Sequence, residues 1–299
     1  MLSVWQRLPI VVRAVIAGSV VCSVGTVVWG GVAGYPLLAG WNLRVLVTVP
    51  WAIVPMSVFL WLFVKYLGGW AWPSSTADAR RASLRANKLS ADVWGLSIIA
   101  GLVGLAALLP FQRVMSRLVM IPPEAQPITA PPEMPLLTLV VLLVMAAVVA
   151  GVVEESAFRG YMQGPIERRY GPIAAIVITG VVFGLAHYNH HPTAVVSMLP
   201  YYVVVSAVYG GLAYATNSIL PGMVLHAVGN VFSLSRLWAT GLSELQVSAT
   251  APRLIWETGL DGSFLRSVVV FTVLASLSVW LFANLRKVTF HRGAVQNSA

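Results

Sequence analysis

Runs of about 20 apolar residues recur along this chain, and an α-helix needs a run of that length to cross the hydrocarbon core of a bilayer. Inside a bilayer every backbone polar group must be hydrogen-bonded within the protein, so such runs fold as helices. We therefore predict an all-α fold, a polytopic membrane helix bundle of about eight transmembrane helices. The predicted spans are residues 10–33, 45–68, 92–110, 136–156, 172–188, 195–214, 218–235 and 264–285.

The composition agrees with a membrane protein and excludes a nucleic-acid partner. Hydrophobic residues make up 58% of the chain and charged residues only 10%, whereas charged residues are about 25% of an average soluble protein. The formal net charge is +9, but the basic residues lie in short segments between apolar runs. In that position they set the orientation of the chain and contact anionic lipids of the bilayer.

The distribution of Lys and Arg predicts the orientation. With the N-terminus inside, 13 basic residues fall on the cytoplasmic side and 6 on the other side. Because cytoplasmic loops carry the excess of basic residues, we expect both termini in the cytoplasm, in an integral protein of a bacterial cytoplasmic membrane. Three parts are predicted: residues 1–135 with three spans, a four-span core at 136–235, and residues 236–299 with an outer loop and the last span.

Two adjacent glutamates, Glu154 and Glu155, lie in an apolar stretch of this core. A carboxylate at membrane depth costs about 2.5–3.5 kcal/mol on insertion scales, so a pair of them indicates function. On a helix Glu155 faces Arg159, four residues later, and the two are expected to form a structural ion pair. Glu154 then points about 100° away, where it is available as a general base or as a proton relay.

A helical hairpin is expected to bring His187 to the height of Glu154. Arg168-Arg169-Tyr170-Gly171-Pro172 is a typical helix stop and restart. Glu154 lies 17 residues before Gly171, and His187 lies 16 residues after it. At about 1.5 Å per residue, both side chains lie roughly 24 Å from the turn.

A third pattern is His226-x-x-x-Asn230 on a later helix. One turn apart, the imidazole and the amide point the same way. Such a pair can ligate a metal, or it can donate hydrogen bonds to a developing oxyanion.

Taken in order, Glu-Glu-x-x-x-Arg, Phe-x-x-x-His and His-x-x-x-Asn resemble the motifs of the CAAX protease and bacteriocin-processing (CPBP) family of intramembrane proteases, over roughly residues 140–235. The resemblance implies that Glu154 is the catalytic glutamate and acts with His187 to activate water. It also implies that His226 and Asn230 hold the oxyanion, with Glu155 and Arg159 as the structural pair. The substrate would be a peptide or protein at the membrane, with or without an attached lipid.

The family resemblance leaves two mechanisms open, a metallo- and a glutamate-dependent endopeptidase. Zinc is a possible cofactor, and its ligands would be Glu154, His187 and His226, with water as the fourth. The chain lacks the usual His-Glu-x-x-His pair, so a metal-free Glu/His mechanism is favoured. Two other functions compete with proteolysis, a proton- or metal-coupled transporter and a non-catalytic scaffold or immunity protein. His190 and His191 are interpreted as loop residues, not as ligands.

Overall fold

Helices are the regular secondary structure throughout the part of the chain that the computed structural model describes, residues 4–30, 37–121, 132–189, 194–242 and 244–297. No strand occurs in these ranges, which confirms the all-α prediction. The α-helices are α1 Val4–Arg7, α2 Ile10–Gly30, α3 Leu38–Arg44, α4 Ile53–Leu67, α5 Ala77–Leu84, α6 Ala91–Leu118, α7 Leu136–Glu154, α8 Gly164–Ala186, α9 Leu199–Thr216, α10 Leu220–Thr240, α11 Ile255–Thr258 and α12 Gly262–Asn297.

Four helical stretches in these ranges are long and apolar enough to cross a membrane: Ile10–Gly30, Ala91–Leu118, Leu136–Ala186 and Gly262–Phe290. α4 is a shorter apolar helix. The protein is therefore an integral membrane helix bundle. The predicted spans 195–214 and 218–235 correspond to α9 and α10, which are less apolar. The final residues of the predicted span 10–33 lie outside the described residues, and so do His190 and His191.

Several predicted helix ends were wrong. The span predicted at 45–68 begins as a helix only at Ile53, because residues 45–52 form turns. The span predicted to end at 110 continues through Pro110 to Leu118. The span predicted to end at 156 continues as a π-helix, Glu155–Gln163, and then into α8. Its polar residues are buried against other helices, so polarity there does not mark a helix end.

The predicted hairpin turn lies at Gly171. Its backbone has φ 82° and ψ 169° in the middle of an otherwise helical stretch, a conformation that glycine adopts without a steric penalty. Pro172 follows at the restart, where its fixed φ suits a first helical position. α7, the π-helix and the first part of α8 therefore run towards this turn, and the rest of α8 runs back from it.

Small residues allow the helices around the core to approach closely. A Cβ atom on Gly151 of α7 would lie 2.7 Å from the backbone oxygen of Met223 on α10. A Cβ atom on Gly222 would lie 2.8 Å from Oε2 of Glu155. Backbone-to-backbone packing of this kind is typical of membrane helices. It fixes the rotation of α10 relative to α7 and thereby the direction of the side chains that follow.

Candidate active site

One cavity receives all four side chains that the sequence assigns to catalysis. It has a volume of about 390 Å³ and is lined by Glu154, His187, His226 and Asn230, together with apolar side chains of α6, α9 and α10. Glu154 comes from the end of α7, His187 from the turn after α8, and the other two from α10. The expected convergence of three separate helices on one pocket is therefore present, and the chemical roles stay predictions.

Glu155 lies beneath the cavity in a closed cluster of charges. Its Oε1 atom accepts a hydrogen bond from Nδ1 of His226 at 2.8 Å and lies 3.1 Å from a guanidinium nitrogen of Arg159. Both side chains of the Glu155–Arg159 pair are completely buried. The ion pair expected from their spacing is thus formed, on a π-helix rather than an α-helix. π-helical turns are rare and frequently occur at functional sites.

Arg159 is buried among aromatic rings as well as beside Glu155. Its guanidinium carbon lies 4.9 Å from the ring centre of Phe183 and 5.2 Å from that of Tyr209. Cation–π contacts contribute most where the cation is desolvated.

The buried position of Arg159 also changes the count of basic residues on the two sides of the membrane, because a fully buried arginine belongs to neither side. Twelve basic residues then oppose six.

Glu154 has different surroundings from its neighbour. Its side chain is 18% exposed and lines the cavity, and its Oε2 atom lies 3.6 Å from Nε2 of His226. That distance is too long for a direct hydrogen bond. His226 therefore stands between the two glutamates, bonded to Glu155 through Nδ1 and facing Glu154 through Nε2.

The orientation of His187 is set by its own helix. Nδ1 of His187 lies 2.8 Å from the carbonyl oxygen of Phe183, one turn earlier. Because a carbonyl can only accept, Nδ1 carries the proton, and Nε2 of the neutral ring is the acceptor. The rings of Phe183 and Tyr202 pack against the imidazole at centroid distances of 4.7 and 4.8 Å.

Three features of the site were not predicted from the sequence. The first is the hydrogen bond between Glu155 and His226. The second is the pair Tyr202 and Tyr209 on α9, seven residues apart, of which Tyr209 stacks on the His226 ring at 4.8 Å and 13°. Tyrosines spaced by two turns in an apolar helix are a detectable pattern. The third is Glu244, a loop residue that lines the cavity and accepts a hydrogen bond from the Tyr202 hydroxyl.

The proposed zinc ligands do not form a ligand set in this arrangement. Among the described residues, no group of three or more His, Cys, Asp or Glu side chains is placed to hold a metal ion. Of the three, Glu154 and His226 approach each other. The bond between Nδ1 of His187 and a backbone carbonyl is itself compatible with metal binding through Nε2, so the spacing of the three side chains decides. A three-ligand zinc site would require these side chains to rearrange, so no step below involves a metal.

Comparison with known proteins identifies the core. Residues 136–232 match the family model described as type II CAAX prenyl endopeptidase Rce1-like. No curated protein and no solved structure matches this chain. The matched segment contains all three motifs and every helix that contributes one of the four polar side chains of the cavity. The chain thus carries a domain of the CAAX protease and bacteriocin-processing family, as its motifs predict.

Proposed function

We propose that this protein is an intramembrane endopeptidase that hydrolyses a peptide bond of a membrane-associated or lipid-modified peptide or protein. The membership of the core in a family of CAAX-type proteases gives the reaction class. The observation that carries the proposal is the cavity in which Glu154, His187, His226 and Asn230 meet. Its partners are the substrate and the lipid bilayer.

Glu154 is the proposed general base. A water molecule in the cavity loses a proton to the Glu154 carboxylate, and its oxygen attacks the carbonyl carbon of the scissile bond. The same proton then passes to the departing amine nitrogen, and the carboxylate is regenerated. His187 assists through Nε2, which accepts a hydrogen bond from the water while Nδ1–H stays bonded to the Phe183 carbonyl. General acid–base catalysis of this kind contributes typically about 10²–10⁴-fold.

His226 and Asn230 are the proposed donors to the oxyanion. Because Nδ1 of His226 donates to Glu155, its Nε2 can donate as well only when the ring is an imidazolium. A cationic ring between two carboxylates then offers a charged donor to the tetrahedral intermediate, and the Asn230 amide offers a neutral one. Donors fixed before the reaction stabilise the charge that develops in the transition state.

Glu155 and Arg159 are proposed to position His226 rather than to touch the substrate. The arginine holds the Glu155 carboxylate, and the carboxylate fixes the imidazole through Nδ1. Tyr209 supports the same ring by stacking on its face. A buried partner that orients a catalytic histidine in this way also selects its protonation.

We favour the mechanism without a metal and keep zinc as a testable alternative. The protein purified after extensive dialysis against EDTA is expected to retain its cleavage rate and to contain no stoichiometric zinc by mass spectrometry. Loss of cleavage after chelation, restored by one equivalent of zinc per chain, would contradict the metal-free mechanism and support Glu154, His187 and His226 as ligands.

The experiment that tests the function compares peptides in cells. Cells that produce the wild type, Glu154→Gln or Glu257→Gln at equal abundance are compared by quantitative peptidomics. Glu257 is a matched control, because it is an exposed glutamate of α11 outside the cavity. We expect uncleaved precursors to accumulate with Glu154→Gln and not with Glu257→Gln.

Two outcomes would reject the proposal. If Glu154→Gln leaves every peptide unchanged, the protein is not a protease that depends on this residue. If the peptides are unchanged but proton flux into proteoliposomes differs from wild type, the transporter is supported instead.

A further inference from the structure

A second cavity lies beside α7, apart from the active site. It has a volume of about 950 Å³ and is lined by residues of α4, of α7 and of the segment around α5. Val148 and Val152 of α7 line this second cavity, whereas Glu154 lines the active-site cavity, and none of the described residues lines both. Two residues apart on a helix, Val152 and Glu154 point about 200° apart, so α7 separates the two cavities.

Two helices give the second cavity an apolar wall. Leu60 and Val64 lie one turn apart on α4, and both line the cavity. On α7, the lining residues Met145, Val148 and Val152 recur at intervals of three and four residues. Residues at these intervals share one face of a helix. The two helices therefore present apolar faces to the same space, and this wall suits hydrocarbon chains.

Basic residues line the part of the second cavity where α4 ends. Lys65 lies in the last turn of α4, Arg81 lies on α5, and Lys88 follows α5. All three residues are exposed, and no acidic residue is among the described residues that line this cavity. Arg81 forms an ion pair with Asp78 at 3.4 Å, but both side chains are largely exposed. Such surface pairs are weak, so this end of the cavity, the cationic end, attracts an anion.

Two tryptophans lie beside the cationic end. Trp61 and Trp70 line the second cavity, each is more than half exposed, and their ring centres are 6.5 Å apart. Nζ of Lys65 lies 5.8 Å from the ring centre of Trp61. Tryptophan is enriched at the level of the lipid headgroups, and lysine near a helix end extends its ammonium group to the same level. The cationic end thus matches the depth of headgroups, and the apolar wall matches the depth of acyl chains.

The segment that forms the cationic end is fixed against the rest of the protein. The buried guanidinium of Arg80 donates to the backbone oxygens of Tyr66 at 2.9 Å and of Trp70 at 3.0 Å, which joins α5 to the end of α4. A Cβ atom on Gly160 of the π-helix would lie 2.9 Å from the backbone oxygen of Ser83, so the end of α5 packs directly on the π-helix. A site that is formed before its ligand arrives loses less entropy on binding.

We propose that the second cavity binds one anionic phospholipid, with the phosphate at the cationic end and the acyl chains along the apolar faces of α4 and α7. Charge complementarity selects the phosphate, and the apolar wall selects a lipid over a free anion, which would leave that wall uncovered. The volume of about 950 Å³ lies within the range of about 300–1,000 Å³ that is typical of ligand sites. This discrete site differs from the general attraction of basic loops to an anionic membrane surface. The proposal goes beyond the endopeptidase function and does not depend on it.

Native mass spectrometry of the delipidated full chain tests the role of the charges, with phosphatidylglycerol as the probe. We expect one tightly bound lipid per chain, and weaker binding of phosphatidylcholine with the same acyl chains. Lys65→Gln combined with Lys88→Gln should weaken the binding of phosphatidylglycerol about 30-fold, because each lysine near an anionic lipid contributes about fivefold. The matched control is Arg168→Gln combined with Arg169→Gln, which removes the same charge at the hairpin turn, outside the second cavity. It should bind the lipid as the wild type does.

A second pair of variants tests the role of the apolar wall. Val148→Trp fills the space between α4 and α7, and we expect it to lose the bound phosphatidylglycerol. The matched control is Val144→Trp, at an exposed position of α7 that does not line the second cavity, and it should keep the lipid. Inorganic phosphate and glycerophosphoglycerol, which has the headgroup without the acyl chains, should not displace the lipid from the wild type. Melting temperatures in detergent show whether each variant is folded.

Several results would overturn the proposal. Wild-type affinity in the double lysine variant, or an equal loss in the double arginine variant, would show that the charges of the cavity do not select the lipid. Equal binding of phosphatidylcholine would show the same. Displacement by inorganic phosphate would identify a site for a soluble anion, and a wild-type dimer that Val148→Trp separates would identify an interface between two copies of the chain. If Val148→Trp does not fold, the lysine and arginine variants decide the outcome.

Discussion

Two neighbouring glutamates have opposite surroundings, one in the active-site cavity and one in the layer of buried side chains beneath it, which contains Glu155 and Arg159. Glu155 is completely buried and engages Arg159 and His226. Glu154 is partly exposed in the cavity, and its Oε2 atom lies 3.6 Å from Nε2 of His226. A buried carboxylate with two partners is suited to hold a structure, whereas a partly exposed carboxylate in a cavity is suited to exchange a proton. The difference supports the proposal that these two adjacent acids have separate roles.

The largest expected effect is a loss of stability when the buried ion pair between Glu155 and Arg159 is broken. Removal of one partner of a buried ion pair costs about 3–5 kcal/mol, because the other charge stays buried and unpaired. Arg159→Met is therefore expected to lower the melting temperature strongly or to prevent folding, as measured by tryptophan fluorescence during thermal unfolding in detergent.

The matched control for this prediction removes both charges. Glu155→Gln with Arg159→Met leaves no unpaired charge, so most of the lost stability should return while cleavage stays impaired through His226. If Arg159→Met alone unfolds at the wild-type temperature, the ion pair does not contribute to the stability of the protein.

A second prediction concerns the cavity wall. Asn230→Ala removes a proposed oxyanion donor, and the loss of one such donor costs about 10²–10³ in kcat. Because Asn230 is half-buried and lines the cavity, unfolding should change by less than about 0.5 kcal/mol. The cleavage rate per folded molecule is measured in proteoliposomes. A Leu102→Ala variant, on the same cavity but without a polar group, should keep kcat within a few-fold. Equal losses in both variants would contradict a specific role for the amide.

Some features of the site can be predicted from the sequence, and others depend on how the helices pack. The motif spacing predicts that Glu154 and His187 come together, because they lie at similar distances along the chain from the turn at Gly171, and both line the cavity. The contact between Glu155 and His226 depends on the rotation of α10, which the close approach of Gly151 and Gly222 to neighbouring helices determines. Such packing cannot be derived from periodicity.

Other parts of the site depend on long-range packing in the same way. The π-helix continues directly from α7, and nothing in the local sequence marks its beginning at Glu155. Glu244 lines the cavity from a loop, where neither helical periodicity nor motif spacing predicts which side chains meet. Each of the eight predicted spans overlaps an α-helix of the structure, but several of their ends differ. The end predicted at residue 156 is wrong because the buried polar residues of the π-helix were interpreted as a helix boundary.

A third prediction tests the stacking that joins the two regions. The Tyr209 ring covers the His226 imidazole and contacts the Arg159 cation. Such aromatic and cation–π contacts are worth about 0.5–2 kcal/mol. Tyr209→Leu should therefore lower stability by this amount, whereas Tyr209→Phe keeps the ring and should stay close to wild type. Unfolding of the two variants is compared in parallel. Equal stability of both would show that the ring contacts contribute nothing.

The smallest expected effect lies outside both regions, at the start of α12. The backbone N–H of Phe264 and the guanidinium of Arg117 both bond to the Asp261 carboxylate and hold the pKa of Asp261 below its ordinary value. Since the pKa is lower in the folded state, the contribution is present at neutral pH and is lost as the pH falls through and below the ordinary range of aspartate. Asp261→Asn should lack this acid-dependent loss of melting temperature.

The control for this prediction is Asp78→Asn, at an exposed aspartate of α5. It should show the same pH dependence as the wild type. An unchanged acid dependence in Asp261→Asn would mean that the carboxylate does not contribute.

Glu154 is proposed to perform chemistry and Glu155 to maintain structure, and the Glu154→Gln variant distinguishes the two roles. The cleavage rate per folded molecule of Glu154→Gln is determined beside its melting temperature, with a peptide identified from the accumulating precursors. We expect the rate to fall about 10²–10⁴-fold, while the melting temperature stays that of the wild type. Full cleavage by Glu154→Gln, or a loss of rate that only follows a loss of folded protein, would contradict it.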